Sequence, residues 1–140
     1  MKPNAAFLLV LVVGMLPSHR NSRVMREPLI EFTYADEPWA PDSAPVVQQC
    51  GYYALIRGTI SHSGGFRPGA SVRVLGDTLA AVVDLYAASA FDQRDATRAR
   101  WTLRIGALDP RAYQMTVAVG GKVLVRQGLR LTFRQEGCAA

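Results

Sequence analysis

From Cys50 onward, apolar and polar residues alternate with a period of two, in short runs separated by glycine and by Asp/Pro turn signals. That pattern belongs to strands half buried against a core. The clearest run covers residues 98–105. Ala99, Trp101, Leu103 and Ile105 fall on one side and Arg98, Arg100, Thr102 and Arg104 on the other, because successive side chains of a strand point to opposite faces. In the next run Tyr113, Met115, Val117 and Val119 share a face. The last run turns Leu129, Leu131 and Phe133 inward and Arg130, Thr132 and Arg134 outward. Further runs occupy 52–60, 70–75, 78–86 and 122–126.

Gly76-Asp77 and Gly120-Gly121 sit between such runs and read as tight hairpin turns. Residues 61–69, Ser-His-Ser-Gly-Gly-Phe-Arg-Pro-Gly, read as a glycine-rich irregular loop. Residues 87–97 lack alternation; they are expected to cross between two sheets and to hold a short helical turn. No segment has the helical periodicity a βαβ unit needs. The prediction is an all-β fold, an antiparallel immunoglobulin-like β-sandwich of about seven strands, or eight if the N-terminal arm supplies one.

That arm, residues 19–49, is polar and carries Pro28, Pro38, Pro41 and Pro45, which exclude a continuous helix and favour extended backbone. It reads as an arm or linker ahead of a 50–140 domain. Within it, residues 29–34 have the composition of one short strand, and Trp39 is expected to pin the arm down by burying its ring. Residues 1–18 combine Lys2, an apolar run over 5–16 and Pro17, the pattern of a secretory signal peptide. The run is shorter than a bilayer span requires. No sharp cleavage motif follows it, so an uncleaved interfacial anchor and a buried N-terminal element stand as alternatives. The expected location is secreted or periplasmic.

The 140 residues suit one domain with a real core. A hydrophobic fraction of 49% with 19% charged residues excludes a disordered chain. The two cysteines, Cys50 and Cys138, bracket the patterned region, and in an exported protein such a pair reads as a disulfide. The net charge of +5 is almost entirely arginine, since Lys2 and Lys122 are the only lysines. This balance favours anionic partners, although no basic run of five or more residues occurs.

The stretch from Ile105 to Val117, Ile-Gly-Ala-Leu-Asp-Pro-Arg-Ala-Tyr-Gln-Met-Thr-Val, resembles the Leu-x-Pro-Gly-x-Tyr-x-Val turn of immunoglobulin-like, carboxypeptidase-regulatory-like and prealbumin-like sandwiches. The resemblance implies that Tyr113 acts as a tyrosine corner, its ring covering the end of the core and its hydroxyl bonding back to the turn. Arg111 stands where that pattern has glycine, and the cysteines do not match the inter-sheet pair of antibody domains. Sandwiches of this kind imply an accessory or binding domain without catalysis of its own.

Residues that carry chemistry are scarce. His19 and His62 are the only histidines, too few for a histidine metal site, and Ser61 and Ser63 beside His62 say nothing about triad geometry. Asp84, Asp92, Asp95 and Asp109 do not follow a calcium-loop spacing. Asp109 before Pro110 reads as turn chemistry. Gly64-Gly65 and Gly120-Gly121 lack the following lysine of a phosphate loop. No catalytic, cofactor or metal residue is assigned. What remains is the arginine row Arg98, Arg100 and Arg104, extended across strands by Arg73, Arg130 and Arg134. It reads either as a solvated face or as an anion-binding patch for an acidic polymer, a lipid headgroup or an acidic protein. Interleaved aromatics are missing from it, so nucleic acid is not expected. The sequence therefore points to an exported non-catalytic binding or interaction module. The alternatives are a small enzyme or enzyme inhibitor working through the 61–69 loop, and a structural or adhesion subunit whose arm adds a strand to a neighbour's sheet edge.

Overall fold

Each alternating run forms a strand, and the turns between them fall where glycine permits a left-handed backbone. A computed structural model describes residues 27–88, 96–134 and 138; residues 1–18, where a leader was expected, and 89–95, where the helical turn was expected, lie outside them. The strands are β1 (Leu29–Asp36), β2 (Val46–Gln49), β3 (Ala54–His62), β4 (Phe66–Leu75), β5 (Thr78–Ala87), β6 (Thr97–Gly106), β7 (Ala112–Val119) and β8 (Lys122–Arg130). They build two four-stranded sheets, β1-β6-β3-β2 and β4-β5-β7-β8, the all-β sandwich that the patterning predicts. Gly76 at φ 62 turns β4 into β5, and Gly120 and Gly121 at φ 61 and 82 turn β7 into β8. The second pair meets the demand of a type I′ hairpin for two positive φ values.

One pairing departs from the antiparallel expectation. β5 and β7 run parallel, with Leu79 opposite Met115 and Ala81 opposite Val117. Parallel neighbours cannot be joined by a hairpin. Here the chain leaves the second sheet after β5, crosses the first as β6 and returns as β7.

The core lies between the sheets. From β6 come Ala99, Trp101, Leu103 and Ile105, all fully buried, as the alternation predicts; Ile56 on β3, Leu79 and Val83 on β5, and Met115 and Val117 on β7 meet them. Burying side chains of this size stabilises the fold by roughly 1.5–3 kcal/mol each. Tyr113 is buried over the end of this core, and its hydroxyl donates to the Asp109 carbonyl at 2.7 Å. This is the corner geometry that the turn motif implied. A disulfide joins Cys50 to Cys138, with Cα atoms 4.5 Å apart. It ties the residue after β2 to the C-terminal segment, closing a sequence separation of 88. In the chain-entropy picture such a loop contributes at most about 4–5 kcal/mol.

Several local expectations are corrected. The stretch read as an arm before the domain supplies β1 and β2, because Ile30 and Phe32 pack against the core and the whole of β1 pairs with β6. The nine-residue loop reduces to residues 63–65, with Ser61 and His62 closing β3 and Phe66 opening β4. The Phe66 amide donates to the Ser63 carbonyl there, at 3.2 Å. The runs at 122–126 and 129–133 merge into the single strand β8, which ends at Arg130. Past that point the alternation no longer decides direction: Leu131 is buried, whereas Phe133 is 88% exposed. Trp39 does not pin anything; it is 92% exposed.

Candidate binding surfaces

β1 and β2 form opposite edges of the first sheet, so residues 37–45 must pass over it as a strap. Polar groups of that sheet's outer side hold the strap. The Glu37 amide donates to the Arg98 carbonyl at 2.7 Å and the Arg98 guanidinium donates to the Ala40 carbonyl at 2.5 Å. The Ser43 amide donates to the Thr59 hydroxyl at 3.3 Å. With Ala40 buried beneath, Trp39 is left pointing at solvent.

The predicted row of arginines stands on this face, and each member has a partner within the protein. Arg98 holds the strap. Arg100 Nε lies 2.7 Å from Glu37 Oε2. Arg104 lies 3.7 Å from Glu31 and stacks over the Tyr53 ring at 4.3 Å from its centroid, a contact in which the ring's electron-rich face attracts the cation. Beside Arg104 an open hollow of about 350 Å³ is lined by Leu29, Glu31, Tyr52, Gly106 and Ala107. Ala107 holds φ at 58°, a left-handed conformation that costs an alanine roughly 1–2 kcal/mol.

His62 is not an exposed loop residue. It is buried at the end of β3, where Nε2 lies 2.8 Å from Asp36 Oδ1, and this contact fastens the last residue of β1 across the sheet. Among the described residues no group of three or more His, Cys, Asp or Glu side chains comes together as a metal site.

The extension of the arginine row does not continue across strands as expected. Arg73 is on β4 and Arg130 on β8, both in the other sheet; Arg134 follows β8 and is exposed. On that sheet's outer face the register sets Arg73 opposite Ala80, Ala80 opposite Thr116, and Thr116 opposite Arg126. A straight line across four strands thus begins and ends in arginine. Strands are spaced about 4.8 Å apart, so the two Cα atoms are about 14 Å apart. Arg67, further down β4, and Arg130, further up β8, complete the set. None of these four guanidiniums has an ion-pair or hydrogen-bond partner among the described residues. The one carboxylate on the outer positions of these strands is Asp84, which accepts the Leu85 amide at 2.8 Å. Between the arginines the surface is floored by Ala80, Val82, Thr116 and Ala118. Arg67 and Arg126 escape a reading along the chain because neither belongs to a run of like charges; only the strand register collects them.

No known protein family, curated protein or solved structure matches the chain.

Proposed function

We propose that this chain is an exported, non-catalytic binding module that takes an anionic extracellular ligand on the outer face of the sheet β4-β5-β7-β8. The observation that carries this reading is the contrast between the two outer faces. On the first sheet Arg98, Arg100 and Arg104 are spent on the strap, Glu37 and Glu31. On the second, Arg67, Arg73, Arg126 and Arg130 carry four positive charges against the one carboxylate of Asp84. Guanidiniums that have no partner among the described residues repel one another on a shared face, and an anion that accepts their hydrogen bonds removes that cost. The Cys50–Cys138 disulfide is compatible with an oxidising compartment, and the leader pattern at 1–18 supports export. The non-catalytic reading is supported by the use of His62: its Nε2 is engaged by Asp36 inside the sandwich rather than presented on a surface. In the adhesion alternative the arm would not be a free strand to donate, because β1 is paired with its own β6 along its whole length.

The test is isothermal titration of the full oxidised chain with heparin, used as a general polyanion, at several salt concentrations. Affinity is expected to fall as salt rises. Arg73→Gln with Arg126→Gln should weaken binding at least tenfold, while Arg100→Gln with Arg104→Gln should change it less than twofold. Absence of binding, or loss of it only in the second pair, overturns the proposal.

A further inference from the structure

We infer that the anion bound on the second sheet is a linear acidic polysaccharide lying diagonally across the face, with one sugar ring stacked on Tyr86. The inference rests on the anion-binding reading above and adds the ligand's class.

The spacing of the arginines sets the length of the ligand. β4 and β8 run in the same direction, because β4 is antiparallel to β5, β5 parallel to β7, and β7 antiparallel to β8. With Arg73 and Arg126 in one row, Arg67 lies six residues back along β4 and Arg130 four residues forward along β8. At about 3.3 Å per residue the Cα atoms of the four follow a diagonal with steps of about 20, 14 and 13 Å. A single phosphate or carboxylate cannot meet all four. A ligand that engages the set is elongated and carries several separated charges.

The path between the arginines is low. The positions between Arg73 and Arg126 are Ala80 and Thr116, small side chains that leave the middle of the face low. A narrow chain can lie there without displacing anything.

Tyr86 supplies an aromatic surface beside this path. It pairs with Arg67 across β4 and β5 and is 48% exposed. Its ring lies against Gly69: a Cβ there would stand 2.7 Å from Tyr86 Cδ2 and 2.8 Å from Cε2. An aromatic ring covering a glycine of an edge strand shields that backbone, and Tyr86 keeps about half of its surface exposed on that face for a ligand to meet. The C–H-rich face of a pyranose packs on such a surface, while carboxylates or sulfates on the same chain meet the guanidiniums in bidentate fashion. The side chains between Arg73 and Arg126, Ala80 and Thr116, are too short to insert into a lipid surface.

The experiment compares three probes at equal charge concentration on the full oxidised chain: size-selected heparin oligosaccharides, linear polyphosphate, and vesicles of phosphatidylglycerol in phosphatidylcholine. Heparin oligosaccharides should bind at least tenfold more tightly than polyphosphate, and affinity should climb with oligosaccharide length until the diagonal is filled. Tyr86→Leu should weaken oligosaccharide binding about five- to tenfold, the scale of one aromatic stacking contact, while leaving polyphosphate binding unchanged. Tyr86→Phe should retain binding. Polyphosphate or vesicles binding as tightly as heparin, or Tyr86→Leu weakening all probes equally, overturns the glycan assignment and leaves the anion-binding reading standing. Failure of every probe overturns that reading instead.

Discussion

The indole of Trp101 on β6 lies directly against Gly58 on β3, its register partner: a Cβ at Gly58 would stand 2.5 Å from Cζ2 and 2.9 Å from Cε2 of the ring. The fully buried tryptophan occupies the volume that any other residue at 58 would need. Gly58→Ala must therefore push the ring off its seat against Phe32, whose centroid is 6.2 Å away. Overpacking of this kind costs about 1–3 kcal/mol. Urea denaturation should show a lower midpoint with an unchanged slope.

The Tyr113 hydroxyl is the second fixed point of the core. Tyr113→Phe keeps the ring and removes the bond to the Asp109 carbonyl. The expected loss is about 0.5–1.5 kcal/mol, measured in the same denaturation experiment. A Tyr113→Phe protein as stable as the parent would mean that the corner contributes nothing.

Export and oxidation are tested together by intact mass. Protein produced with its own leader in an exporting host is expected to lose roughly the first 17 to 25 residues. Cys50 and Cys138 should label only after reduction. Replacing both with serine is expected to cost about 2–5 kcal/mol. A full-length chain with two freely labelling thiols would contradict the compartment assignment.

Ala107, which lines the hollow beside Tyr52, holds the one positive φ among the described non-glycine residues. Ala107→Gly should be neutral or stabilising by up to about 1 kcal/mol, the relief of a left-handed alanine less the added freedom of the unfolded chain. Ala107→Val should destabilise, because a β-branched residue is poorly tolerated at that φ. Thermal denaturation of the three proteins should rank them glycine, alanine, valine.

Much of this architecture is readable along the chain, and where reading stops there is a physical reason. The alternation through Ala99, Trp101, Leu103 and Ile105 names the buried face of β6 because a one-residue register slip would expose all of them. The hairpins at Gly76 and Gly120 are legible because few residues accept a positive φ. Trp39 and Phe133 defeat the same logic: one sits on a strap and the other beyond the end of a strand, where burial follows from the path of the backbone. His62 was hidden by its neighbours. Serines and glycines around it indicate a loop, whereas its partner Asp36 comes from a strand the sequence leaves among an arm. The binding face shows the limit most clearly. Arg73 and Arg126 fall in line only through Ala80 and Thr116, and the parallel pairing that aligns those two is a long-range choice with no local signature.

The most direct test of the account is a map of amide chemical-shift changes as a heparin oligosaccharide is titrated into the ¹⁵N-labelled oxidised chain. The shifts are expected to concentrate on the outer positions of β4, β5, β7 and β8, around Arg67, Arg73, Tyr86, Arg126 and Arg130, and to spare Arg98, Arg100 and Arg104. Shifts centred on the strap and the outer face of β6, with the second sheet unmoved, would contradict it.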